Sequence, residues 1–185
     1  WSRENLWLRV EVRDAQYLLF PELWQTVGNI RSHLYRFDGA LEVYFDTAAD
    51  ARKKKTNNYD ENDYRYDFCA GPSGKSGRGC VYRLREVYHQ LADGVNMPTK
   101  KEASEKVICN FELLPGGYAY TIKFGQRYLE PFTLRSGSCA GFGIFLHDRD
   151  KNPDGSIRYG GLSNSTEDGT PCDYKPKFWP LMILK

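Results

Sequence analysis

Two acidic runs carry the most distinctive side-chain chemistry in this chain. In Asp148-Arg149-Asp150-Lys151-Asn152-Pro153-Asp154-Gly155 an oxygen-bearing side chain stands at every second position before a glycine. Alternate oxygens on a tight turn can converge on a hard cation such as Ca²⁺. The spacing is not that of an EF-hand: the glycine comes late, and Tyr159 stands where the bidentate acid belongs. An Asx-rich turn after a strand is the plain alternative. In the second run Asp60, Glu61, Asp63 and Asp67 crowd together, and they repel one another unless a cation or Arg65 neutralises them. A structural Ca²⁺ in these loops is the expectation, with Asp60, Asp63, Asp148 and Asp150 as its ligands. His33, His89 and His147 show no metal-ligand spacing. His147 ends a strand beside Asp148, where it serves either as a satisfied polar group or as a partner for a ligand hydroxyl.

Other chemistry is thinner. No Ser-His-Asp or Cys-His arrangement is legible in the order of residues. Strand-borne carboxylates such as Glu11 and Glu42 keep a glycoside hydrolase or lyase open, because two correctly separated carboxylates suffice for hydrolysis. The stretch from Gly71 to Ser76 ends in Gly-Lys-Ser, but Cys69 replaces the first glycine of a phosphate-binding loop and no buried parallel strand precedes it, so it reads as a hairpin loop. A haem would need axial His or Met, and Met97, Met182 and the three histidines form no suggestive pair. Asn164-Ser165-Thr166 matches a glycosylation sequon, which matters only in a eukaryotic secretory route. Cys69 and Cys80 flank the loop Gly71–Gly79. A short flexible loop keeps its ends close, so a disulfide between them and an oxidising compartment are expected. Cys109 alternates with Val107 and Phe111 and reads as a buried thiol.

The chain has 185 residues, with 26 Lys+Arg against 24 Asp+Glu and a net charge of +2. Such a balance lacks the electrostatic footprint of a nucleic-acid binder. No run approaches the ~18 apolar residues of a membrane helix. Length fits one domain, 1–185. The sequence opens at Trp1 as if mid-domain, so the expectation is a piece of a longer secreted, periplasmic or cell-surface protein. Aromatic residues reach 15%, more than a core requires. Trp7, Trp24 and Trp179 are the ones to watch: an indole stacks on an apolar ring face with its N–H still able to donate. Sugars offer such faces, and their hydroxyls pair with carboxylates, Arg and amides.

The elements that must position these groups have a period of two. Leu6, Leu8, Val10 and Val12 alternate with Trp7, Arg9, Glu11 and Arg13; Leu41, Val43 and Phe45 with Glu42, Tyr44 and Asp46; Tyr64, Tyr66 and Phe68 with Asp63, Arg65 and Asp67. Further strands are predicted over 107–113, 118–124, 142–148 and 178–184, the last at an edge or a bulge because it carries Pro180. Seven or more half-buried strands with Gly-, Pro- and Asn-rich joins predict an all-β antiparallel β-sandwich of jelly-roll or immunoglobulin-like type. One short helix is predicted where Leu84, Val87, Tyr88 and Leu91 share a helical face before Gly94, with a strand as the alternative.

In this order the strands resemble the family 9 carbohydrate-binding modules attached to secreted glycan-degrading enzymes. The resemblance runs through Leu6 to Asp14, the Asp-x-x-x-Glu strand Asp38 to Asp46, the acidic approach Asp60-Glu61-Asn62-Asp63 to Tyr64-Arg65, Gly117 to Ile122, and Leu146-His147-Asp148-Arg149-Asp150, over most of 6–184. It implies a non-catalytic, bacterial module that binds oligo- or polysaccharide, with structural Ca²⁺ in the acidic loops. It implies stacking on Trp24 and a hydroxyl-binding pair of Glu42 and Arg65. Tyr159 is the nearest substitute for a second stacking Trp that is absent; Thr121 and Gly125 also depart from the family pattern.

Overall fold

A computed structural model describes residues 1–18, 38–55, 58–60, 62–70, 75–83, 100–167, 170–171 and 175–185. Their strands are β1 (Asn5–Arg13), β2 (Leu41–Asp46), β3 (Asp63–Cys69), β4 (Gly77–Arg78), β5 (Cys80–Arg83), β6 (Ile108–Leu114), β7 (Gly117–Gly125), β8 (Cys139–Lys151), β9 (Ile157–Ser163), β10 (Thr166–Glu167), β11 (Thr170–Pro171) and β12 (Leu181–Ile183). All the pairings are antiparallel. One sheet runs β1-β7-β6-β4; the other runs β12-β8-β2-β3-β5, with β9 also paired to β8. The protein is an all-β sandwich, as the period-two patterning predicts.

Alternation explains the two layers. Leu41, Val43 and Phe45 from β2 and Tyr64, Tyr66 and Phe68 from β3 face Cys109 and Phe111 of β6 and Tyr118, Tyr120, Ile122 and Phe124 of β7 in one buried core. The excess of aromatics is largely spent here. Phe124 meets Phe45, Tyr66 and Phe68 edge-on, with ring centroids 5.1 to 6.0 Å apart, the geometry that ring quadrupoles favour. Cys109 is buried as expected. Strand β12 lies at a sheet edge, where Pro180 costs no ladder bond.

The helices among the described residues are α1 (Ala51–Lys54) and α2 (Lys100–Lys106), neither of them at the predicted place. Helix α1 is nucleated by Asp46, whose carboxylate accepts from the N–H groups of Asp50 and Ala51, a local cap that hydrophobic periodicity does not register. The helix predicted over 84–91 lies outside the described residues. So do Trp24, Cys172 and Gly71–Gly74. Ser76 is described, and its hydroxyl accepts from the Leu113 N–H, 2.9 Å. Cys69 and Cys80 stand opposite each other in the β3–β5 ladder, but Cys69 carries no disulfide, so the expected crosslink is not formed in this structure. The sequon residue Asn164 is engaged: its Oδ1 accepts from Ile144 N–H at 2.7 Å and its Nδ2 donates to Phe142 C=O at 3.2 Å.

Candidate ligand-binding site

The face of β2 and β3 turned away from the core carries charge rather than apolar side chains. Register sets Glu42 against Asp67 on β3 and against Phe145 on β8, with Tyr44 opposite Arg65. Glu42 is the hub. Its Oε1 accepts from Arg65 Nη2 and lies 2.9 Å from His147 Nε2, while Oε2 accepts from the Tyr44 hydroxyl. Arg65 reaches the other way as well: Nε donates to Asp67 Oδ1 at 2.7 Å and Nη2 to Oδ2 at 3.1 Å. One guanidinium therefore bridges two carboxylates in fork geometry.

Burial is uneven across this network, and the unevenness matters. The Asp67 and Glu42 side chains are 1% and 7% exposed, whereas that of Arg65 is 27% exposed. The cation is thus the member that solvent reaches. Its Nη1 finds no partner among the described residues, and neither does His147 Nδ1. One lone-pair site remains on the Glu42 carboxylate, which accepts three bonds of about four. Desolvation pushes the Glu42 carboxyl up, but the His147 hydrogen bond and the Arg65 charge outweigh it and hold it below the usual range. Burial pushes Asp67 up, against the pull of Arg65. Sharing one cation leaves the two carboxyls unequal, Glu42 the more readily ionised.

Aromatic rings frame the polar cluster. Tyr44, Tyr59 and Trp179 pack together with centroids 5.3 to 6.4 Å apart, and Arg65 lies 5.7 Å from the Tyr44 ring centroid. Phe145 meets His147 edge-on at 4.8 Å. Two glycines make room: a Cβ on Gly143 would lie 2.9 Å from Trp179 Cδ1, and one on Gly161 would collide with the Phe145 ring. Tyr159 stands on the same face, one pair beyond His147–Gly161, with Arg149 4.1 Å over its ring and 61% of its surface exposed. The described residues that border segment 19–37, Leu18 and Asp38, meet at this end of the sheet; Trp24 lies outside the described residues. Leu18 N–H donates to Asp38 Oδ2 at 2.6 Å, and the next residue, Gly39, donates to His147 C=O at 2.9 Å.

The structure therefore brings Glu42, Arg65 and His147 into contact; Tyr159 shares their face but stands opposite Arg149, four residues along β8 from Phe145, the partner of Glu42. Trp179 is different: it is fully buried, packed on the same face over Gly143 and against Tyr44. Glu11 cannot act with Glu42, because β1 carries it on the outer face of the opposite sheet beside Arg9 and Glu112. The sheets are ~10 Å apart before side chains are added, so the pair considered for hydrolysis is split. His147 has Nε2 committed to Glu42.

No family model matches the chain, and no curated protein is significantly similar to it.

The acidic residues separate into two groups at opposite ends of the β2-β3-β8 sheet. Asp148 and Asp150 converge with Asp14, one oxygen of each lying within 4.8 Å of the others. Asp14 comes from the end of β1 and was invisible to local spacing. Arg158 pairs with Asp150, and Asp14 Oδ2 is buried without a hydrogen-bond partner. Burial and the neighbouring Asp150 and Asp14 push the Asp148 carboxyl up. At the far end, Lys54 neutralises the second cluster, with Nζ 2.8 Å from Asp50 and 2.6 Å from Asp60. Asp63 is 2% exposed, and burial with three acidic neighbours pushes its carboxyl up to about 8. Arg65, named from the sequence as a neutraliser of this run, pairs with Asp67, one of its four acids, and with Glu42; Asp60 is met by Lys54 instead.

Proposed function

We propose that the protein is a non-catalytic glycan-binding module, and that Arg65, Glu42 and His147 bind adjacent hydroxyls of a sugar ring. The observation that carries this reading is the charged network itself. It lies on the non-core face of a sheet, so packing has no need of it, and replacing buried ion pairs by apolar residues commonly gains stability. What it offers a ligand is a guanidinium nitrogen, an imidazole nitrogen and a carboxylate lone pair side by side. That set complements a vicinal diol, in which each hydroxyl both donates and accepts. Charge-assisted bonds of this kind fix orientation more than they add affinity, since the hydroxyls give up water to make them.

Stacking supplies the apolar part. Tyr159 is exposed on the same face, and Trp24 is the stacking aromatic that the likeness to the binding modules implies. The natural partner is oligo- or polysaccharide, and a secreted or cell-surface setting, within a longer bacterial polypeptide, suits such a module.

Calcium fits the Asp14, Asp148 and Asp150 group better than the Asp60 and Asp63 group. Three carboxylates meet one arginine there, leaving net negative charge and an unpartnered buried oxygen. When bound, the ion would supply charge neutralisation only; the residues would brace the β1 and β8 ends of the two sheets. At the other cluster Lys54 pairs with Asp50 and Asp60; Asp50 Oδ1 and Asp63 Oδ1 are likewise buried without a hydrogen-bond partner among the described residues, so what favours the Asp14 group is the convergence of three carboxylates.

Calorimetric titration against a glycan panel tests the reading, with Trp24→Ala and Arg65→Lys measured alongside. Binding to at least one glycan, weakened tenfold or more by Arg65→Lys, is expected. Retention of affinity in both variants refutes the assigned site. Release of reducing ends from a bound polysaccharide would favour the hydrolase reading instead.

A further inference from the structure

Phe145 stands directly opposite Glu42 in the β2–β8 ladder, so the two side chains share the site face with His147. Cβ atoms of such a cross-strand pair are about 5 Å apart, a span that one sugar ring covers. Tyr159, by contrast, pairs with Arg149 further along β8. Of the other rings near Glu42, Tyr44 and Trp179 are fully buried and have no face to offer a ligand. Phe145 is only half-buried.

A glycine on the neighbouring strand fixes how the Phe145 ring lies. Gly161 is the β9 partner of His147, so it sits diagonally across from Phe145. A Cβ on Gly161 would collide with Phe145 Cζ and lie 3.0 Å from both Cε1 and Cε2. The side chain therefore lies along the sheet, from β8 across to β9, instead of standing away from it. At so close an approach to Cζ, a point in the ring plane would be farther from both Cε atoms. Gly161 is thus under a face of the ring and not at its edge. That face is closed by the glycine backbone, and the opposite face is the one turned to solvent.

His147 stands beside this floor as a wall. Its ring is inclined at 73° to that of Phe145, with centroids 4.8 Å apart. The Glu42 carboxylate closes the corner, with Oε1 2.9 Å from His147 Nε2.

We propose that Phe145 is the platform on which the sugar ring stacks, and that the ligand is a pyranose lying on an apolar face of axial C–H bonds with its edge hydroxyls turned to Glu42 and His147. This rests on the glycan-binding reading and adds to it the stacking ring and the orientation of the sugar. The face of a phenyl ring is electron-rich, and it attracts C–H bonds that the neighbouring sugar oxygens polarise. Equatorial hydroxyls of a ring so placed point sideways, toward the carboxylate and the imidazole, where each can donate and accept. An axial hydroxyl on the stacked face would hold the sugar off the ring and lose its water without a partner. Covering Gly161 also steadies β9, but a leucine could do that; stacking needs the flat ring.

Calorimetry with the tightest-binding soluble oligosaccharide of the glycan panel tests this on wild type, Phe145→Leu and Phe145→Tyr. Binding should weaken about tenfold in Phe145→Leu and stay within about twofold of wild type in Phe145→Tyr. In the wild-type complex, isotope-filtered NOEs are expected between the Phe145 ring hydrogens and the sugar C–H hydrogens, a readout that needs no variant to fold. Absence of those NOEs at saturation overturns the proposal, as does unchanged affinity in Phe145→Leu. Both results leave the glycan-binding reading standing so long as Arg65→Lys still weakens binding. Equal losses in Phe145→Leu and Phe145→Tyr also overturn it and assign Phe145 to covering Gly161 alone. A wild-type protein that binds no glycan of the panel overturns the glycan-binding reading and this inference with it.

Discussion

Replacing Arg65 by Met should destabilise the protein in a pH-dependent way, because Arg65 is the cation that holds two buried carboxylates in place. It donates to Asp67 at 2.7 and 3.1 Å and also to Glu42. The Asp67 and Glu42 side chains are 1% and 7% exposed. Breaking a buried pair by removing one partner costs about 3–5 kcal/mol, because the remaining charge is stranded. The sign follows from linkage. In wild type the Glu42 carboxyl is held below its ordinary value, so it stabilises above its unfolded pKa and that contribution fades as pH falls. In the variant Glu42 rises above its unfolded value of about 4 and Asp67, which burial already pushes up in the wild type, rises further, so the variant loses more stability than the wild type as pH climbs from 4. The deficit should be about 3–5 kcal/mol at pH 7.5 and less than half of that at pH 4.5. With a urea slope of about 2 kcal/mol/M for a domain of this size, the midpoint moves by roughly 1.5–2.5 M at pH 7.5. Urea unfolding followed by tryptophan fluorescence reads both values. Adding Asp67→Asn to Arg65→Met should recover part of the loss at pH 7.5. A deficit under about 1 kcal/mol, or one equal at the two pH values, would show that Arg65 does not neutralise this pair.

Three further outcomes follow from other parts of the molecule. The Asp63 carboxyl is pushed up to about 8, so it holds a proton in the folded state where the unfolded chain has lost one; stability should fall by up to ~1.4 kcal/mol per pH unit between pH 4 and 8, and Asp63→Asn should flatten that slope in thermal melts. Gly143→Ala puts a Cβ 2.9 Å from the buried Trp179 ring, a clash worth about 1–3 kcal/mol of unfolding free energy, whereas Gly137→Ala, with open space around it, should shift stability only through its backbone angle. Calcium at a hundredfold excess over its dissociation constant should stabilise by about 2.7 kcal/mol; a chelator should reverse this, Asp148→Asn should abolish it, and Asp60→Asn should leave it intact.

The strand pattern was legible because alternation is a local property. Leu41, Val43 and Phe45 against Glu42, Tyr44 and Asp46 already separate the core face from the site face. Pairing was not legible, since which strand lies beside which is set by register across the sheet. Hence Glu11 and Glu42 looked equivalent in the sequence, although they stand on opposite outer faces. Asp14 escaped notice for the same reason: it joins Asp148 and Asp150 only after β1 and β8 are brought together by the sandwich. Glu42 and Arg65 came from the likeness to the binding modules; their bonds to Tyr44, Asp67 and His147 needed coordinates. Lys54 illustrates a third limit, because its role depends on a short helix capped by Asp46, and such a cap leaves no hydrophobic period.

The most direct measurement of the glycan-binding claim is a side-chain NMR titration of the ¹⁵N-labelled protein with a soluble oligosaccharide chosen from the panel. The account predicts saturable shifts of the Arg65 Nε–H and the His147 ring nitrogens, and little movement at Arg9 or Arg13 on the opposite sheet. Binding that moves Arg9 while leaving Arg65 and His147 still, or no binding to any glycan offered, would contradict it.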